Sequence, residues 1–179
     1  IIITVLFVCA YKLYEEKTSI KTWDEVESVE DYTYVKVHKM SEMFAFYEET
    51  NVGFHFVIEK EETGQWHTYV IAINEDDYDN YKDIIDYTYE RTDKVPKVKK
   101  VYGYPVITTD DIKALAIKNI PNFVPAENEI KITEENYETY LTNSYLDTTI
   151  KKKDTFNIAL CASLITILIL IVLFFITLF

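Results

Sequence analysis

The sequence predicts an α+β domain, an antiparallel sheet or small open barrel with about three helices, flanked by two transmembrane helices. Three observations predict it. Phe156 to Phe179 is a run of 24 residues without a charge. Ahead of it, β-rich runs come before helical periodicity, with none of the strand and helix alternation that builds a parallel sheet. Between the ends lies a polar stretch too rich in aromatic residues to be an acidic disordered linker.

The last run sets the organisation. A helix of 24 residues reaches about 36 Å, enough to cross a hydrocarbon core of about 30 Å with some tilt. The opening Ile1 to Tyr11 is equally apolar but shorter and does not begin with methionine. It is expected to be the exit end of a first membrane helix, residues 1–14. Residues 15–30 then form a connector, 31–150 the α+β domain, and 155–179 the second membrane helix. The expected protein is thus a two-pass cell-membrane protein with the lipid bilayer as one partner. Lys151, Lys152 and Lys153 abut the second helix and are expected to contact the membrane surface. A literal positive-inside reading of these lysines would put the domain in the cytoplasm, but that rule weakens for loops longer than about 60 residues. Large domains between membrane helices are more often exported, so an extracytoplasmic location is expected.

Over residues 15–150 there are 14 lysines and arginines against 29 aspartates and glutamates. Phosphate neutralisation needs clustered cations, so no nucleic-acid partner is expected. Both cysteines, Cys9 and Cys161, fall inside the apolar ends. The domain therefore has no disulfide framework, no cysteine-based zinc site and no thiol nucleophile.

In chain order, a helical turn is expected near Trp23, and a short strand through Tyr32, Tyr34, Val35 and Val37. Met43 to Tyr47 reads as a strand or a turn of helix. The clearest signal is GFHFVIEK, EETG, QWHTYVIAIN, two β-branched and aromatic runs joined by a short glycine-containing turn, hence an antiparallel hairpin. Centring the turn between Glu62 and Thr63 pairs Phe54 with Ile71, Phe56 with Tyr69 and Ile58 with His67. Phe54, Phe56, Ile58, Tyr69, Ile71 and Ile73 would form the core face, leaving His55, Val57, Glu59, Trp66 and Val70 on a partly polar one that something could cover.

Asn74 to Arg91 reads as a helix with Asn74 as N-cap and acids in its first turn. Val98 to Ile107 reads as a strand, at an edge or bent because of Gly103 and Pro105. Thr108 and Asp111 suggest a capping box for a helix ended by Pro121. A last helix from Thr133 would carry Tyr137, Tyr140, Leu141 and Tyr145 on one face.

The runs YVIAINEDDYDNYKDI, VYGYPVITTDDIKALAIK and EENYETYLTNSYLDTT resemble a family of uncharacterised membrane proteins of Gram-positive bacteria, in which one domain lies between two membrane helices. The resemblance covers most of Tyr34 to Thr149. It implies the architecture only, because that family brings no assigned activity and no catalytic residues.

Candidate chemistry is sparse. His55 and His67 fall on opposite faces of the expected hairpin and cannot share a metal, and no metalloprotease spacing of histidines occurs. The acids from Glu75 to Asp86 miss the calcium-loop template, since Tyr81 and Lys82 stand where a ligand and a glycine belong. Asp76, Asp77, Asp79 and Asp83 are instead a solvated helix face, a candidate surface for a protein partner or for weak divalent cation binding. The three glycines are scattered, which excludes phosphate cradles, and no serine sits in a nucleophile elbow. No catalytic, cofactor-binding or metal residue is assigned and no cofactor is expected. The expected function is non-catalytic binding, sensing or assembly; the alternative is a membrane-anchored hydrolase using carboxylates and a histidine.

Overall fold

A hairpin of two nine-residue strands forms the spine of the domain in the computed structural model, which describes residues 20–123 and 132–150. In chain order the strands are β1 Lys21–Thr22, β2 Thr33–Val37, β3 Lys39–Met40, β4 Ala45–Tyr47, β5 Val52–Lys60, β6 Trp66–Asn74, β7 Lys99–Ile107 and β8 Ser144–Asp147. Three α-helices occur among the described residues: α1 Lys82–Thr88, α2 Asp110–Asn119 and α3 Tyr137–Leu141. A 3-10 turn at Trp23–Glu25 follows β1, and a longer one at Glu75–Tyr81 leads into α1. The architecture is α+β.

The sheet is mixed and open, where an antiparallel sheet or small open barrel was expected. Its order is β1-β2-β7-β8-β6-β5-β3 with β4 also on β5. β1 runs parallel to β2 and β8 parallel to β6, while the other pairs are antiparallel. One chain run serves both ends of the sheet: β2 pairs with β7, and β3, beginning two residues after β2 ends, pairs with β5. The sheet therefore curls back on itself. In the gap between the two pairings, the Glu59 carboxylate accepts the Lys36 N–H (3.1 Å) and the Ile58 carbonyl accepts the His38 N–H (2.9 Å).

The hairpin register differs by one residue from the expected one. Phe54 faces Ala72, Phe56 faces Val70, Val57 faces Tyr69 and Glu59 faces His67. The connection is five residues, 61–65, with Gly64 at φ +90, a left-handed conformation that glycine adopts without steric cost. One extra loop residue exchanges the faces of β6 relative to β5. Both faces are apolar, so the exchange strands no polar group in the core. On one face Val57, Tyr69, Ile71 and Ile73 join Val35, Val37, Val101 and Leu146, closed by Ile84 and Ile85 of α1. On the other, Phe54, Phe56, Val70 and Ala72 pack under Ile112 and Ala116 of α2 and Tyr137 and Leu141 of α3.

Three further expectations are corrected. The last helix stops at Leu141, and Tyr145 belongs to β8, an interior strand between β7 and β6. Thr142, at φ +62, breaks the helix; Tyr145 then serves the second core and Leu146 the first, so a two-residue apolar step imitated helical spacing. β7 is interior, not an edge: residues 99–103 pair with β2 and 104–107 with β8. Pro105 is tolerated because it lies past the end of the β2 pairing. The cap of α2 is Thr109, whose hydroxyl accepts from the Ile112 N–H, one residue beyond the expected Thr108. Asn74 does hold the cap position of its helical segment, without a side-chain bond.

The described chain ends converge. Lys21 is level with Thr33, Thr33 with Gly103, and Tyr104 with Asp147. Lys21 and Asp147 thus stand at most three strand spacings apart, about 14 Å were the sheet flat and less in a curled one. At Gly103 a Cβ would meet the Asp147 carbonyl oxygen at 2.2 Å, so only glycine admits the β8 backbone there. The expected membrane helices lie outside the described residues; among those described, no helix is long and apolar enough to cross a membrane.

Candidate binding cleft

The connector, whose expected helical turn near Trp23 is the 3-10 turn Trp23–Glu25, builds one wall of a cleft. Thr22 pairs with Tyr34, and the Glu25 carboxylate accepts the Thr22 N–H at 2.9 Å, holding that carboxyl below its ordinary range. Asp31 folds the following loop, accepting the N–H groups of Glu27 (2.9 Å) and Ser28 (3.0 Å) and the Lys21 ammonium (3.1 Å). These bonds present Trp23 against Tyr69, ring centroids 5.5 Å apart and inclined at 51°. The space between this turn, β2 and the hairpin loop is about 240 Å³ and is lined by Thr22, Trp23, Asp24, Tyr34, Lys36, Glu59, Glu61, Glu62, Thr63 and Tyr69.

Its electrostatics are lopsided. Four carboxylates face one ammonium. Burial first, then the charges of Asp24, Glu59 and Glu61, push the Tyr69 phenol upward, so it stays a neutral hydroxyl. Glu61 accepts the Thr63 hydroxyl at 2.8 Å, and its other oxygen lies 2.8 Å from His67 Nε2. Aromatic faces beside carboxylates suit a small polar or cationic group. The volume lies below the roughly 300 Å³ at which drug-sized sites begin.

The residues singled out from sequence lie elsewhere. Asp76, Asp77 and Asp79 project from the exposed 3-10 turn, and Asp77 accepts from the Asn80 amide at 3.3 Å. Asp83 is separated from them by its role. It pairs with Lys99 at 2.7 Å, whose hydrogen bond holds the Asp83 carboxyl below its ordinary range, and Lys99 also donates to the Asn80 carbonyl. This tie fastens α1 to the start of β7. Among the described residues no group of three histidine, cysteine or acidic side chains is placed to hold a metal. Lys151, Lys152 and Lys153 lie outside the described residues.

The histidines also differ from expectation. His55 and His67 share a face, since residue 67 pairs with residue 59. Four residues of strand, about 13 Å, still keep them from a common ligand. His38 accepts the Lys60 N–H on Nδ1 (3.1 Å). His55 is 1% exposed with Nδ1 donating to the Ser41 carbonyl at 3.0 Å, and burial lowers its pKa to about 4.

The cleft was hidden from sequence reasoning because Trp23, Tyr34, Glu59 and Tyr69 come from four separate segments. The available signal was a tryptophan followed by two acids in a stretch without a clean hydrophobic period. No protein-family model, curated protein or solved structure matches the chain.

Proposed function

We propose that the chain is a two-pass integral membrane protein whose acidic domain lies outside the cytoplasm and acts in binding or sensing, with no catalytic role. The observation that carries the reading is the position of Thr22, Trp23 and Asp24. They wall the cleft and lie within the connector that follows the apolar N-terminal stretch, so a ligand held against Trp23 fixes the chain that leads to the membrane. The strand order supports it, because β1 and β8, which lead to the two apolar ends, flank the same β2–β7 pair.

The test uses Trp23 as its own reporter. In a Trp66→Phe chain, titration with alkylammonium compounds and neutral sugars is expected to shift Trp23 emission for at least one class, and Tyr69→Ala should abolish the response. No response from either class would overturn the cleft reading. A second reading, a hydrolase, draws on the Glu61 and His67 contact beside the cleft. It requires ester or glycoside turnover that His67→Ala removes.

A further inference from the structure

We propose that the outer face of the β2–β7 pair, with the loop entering β7, docks on the headgroup surface of a bilayer containing anionic lipid; this rests on the membrane reading above. The face is built by strand alternation. Val35 and Val101 point into the first core, so Tyr34, Lys36, Lys100 and Tyr102 point away from it. In register, Tyr34 stands opposite Tyr102 and Lys36 opposite Lys100. The rings form a ladder: Tyr34 to Tyr102 at 5.6 Å, Tyr32 to Tyr102 at 6.2 Å and Tyr32 to Tyr104 at 5.0 Å. The packed cluster on this side of the sheet reaches Tyr145 of β8 and includes no residue of β2 or β7. Tyr102 is 38% exposed.

Charge selects the occupant. Two lysines directly opposite on a strand pair repel each other. Here they do so in a chain of net charge −12, where carboxylates are plentiful. Lys100 is exposed, lies 4.2 Å over the Tyr34 ring and has no ion pair among the described residues, whereas Lys36 also lines the cleft and meets its carboxylates there. The loop into β7 continues the pattern. Lys94 and Lys97 are exposed and alternate with Val95 (71% exposed) and Val98 (50%). Exposed valines between lysines and a tyrosine ladder match the headgroup layer, where tyrosine rings settle and lysines meet anionic lipid.

The chain outside the described residues sets the reach. β1 flanks this pair on the β2 side and β8 on the β7 side. Lys21 lies ten positions after the apolar Tyr11, and Phe156 nine positions after Asp147. Such linkers span at most about 33 and 30 Å. The β2–β7 pair lies between the two strands that lead to these linkers, while the acidic turn at Glu75–Tyr81 follows β6.

The experiment uses the full chain with Cys9 and Cys161 replaced by alanine, reconstituted into phosphatidylcholine vesicles with or without phosphatidylglycerol. A spin label is placed at Val98→Cys or, as reference, at Asp79→Cys. The Val98 label is expected to become lipid-accessible in anionic vesicles while the Asp79 label stays aqueous. Lys97→Gln with Lys100→Gln should weaken the immersed population about 25-fold, taking about fivefold for each lysine. Equal aqueous exposure of both labels, in chains that resist alkaline extraction from the vesicles, would overturn the docking alone. Extraction of the chain would overturn the membrane reading and the docking with it. Protection of an aqueous Val98 label by soluble dextran sulfate would overturn the lipid assignment in favour of an acidic polymer.

Discussion

Acidification from pH 7 to pH 5 is expected to cost the fold about 2 kcal/mol through one side chain, His55. The imidazole is 1% exposed, donates from Nδ1 to the Ser41 carbonyl at 3.0 Å, and lies 5.6 Å from the Tyr78 ring. Burial lowers its pKa from 6.5 to about 4. The unfolded chain therefore binds the proton first as pH falls. Stability from the neutral imidazole is present above pH 6.5 and is lost between 6.5 and 4. The full gap corresponds to about 3.4 kcal/mol, and linkage places about 2 kcal/mol of it between pH 7 and pH 5. Against a typical total of about 5–15 kcal/mol, that loss is readily measured. The assay is urea denaturation of the chain in mild detergent, followed by tryptophan fluorescence at both pH values. His55→Asn is the comparison, since an asparagine amide can keep the donor to Ser41 without titrating. The native chain should lose about 2 kcal/mol more than the variant over this interval. Equal losses would refute the claim that a neutral buried imidazole sets the acid limit.

Gly103→Ala should lower stability by about 1–3 kcal/mol, because its Cβ would meet the Asp147 carbonyl oxygen at 2.2 Å and backbone must shift; denaturant midpoints check this, and an unchanged midpoint would contradict the close approach. Asp83→Asn should cost less than about 1 kcal/mol, because its pairing with Lys99 is solvent-screened; a larger loss in thermal melting would show the tie to be worth more than a surface pair. For the membrane arrangement, Gln65→Cys in a chain without its native cysteines should react with an impermeant maleimide on intact cells, and labelling only after lysis would move the domain to the cytoplasm.

Local pattern locates several elements, though not their exact register or ends. The hairpin strands, the helical stretch after Asn74 and the helix before Pro121 each carry their signal within a few residues: β-branched alternation, first-turn acids, a capping threonine. His55 shows the limit. A histidine inside a β-run gives no hint of burial, which depends on Ser41, Met43 and Tyr78 arriving from other segments. The acid run was conspicuous in sequence, but Asp83 was already committed to Lys99, sixteen residues away.

The sequence by itself determined the α+β class, the acidity of the middle stretch and the apolar character of both ends, because composition and short-range periodicity are properties of neighbouring residues. Only the tertiary structure decided the hairpin register, the eighth strand and the cleft. Phe54 to Val57 are all buried, so alternation, which normally fixes register through one wet face, carried no information there. β8 exists as an interior strand because β6 and β7 offer it backbone partners on both sides. The cleft exists because residues 23 and 69 are brought to 5.5 Å by a curled sheet. Those are contacts between distant segments, and chain pattern does not record which distant segment will supply the other half.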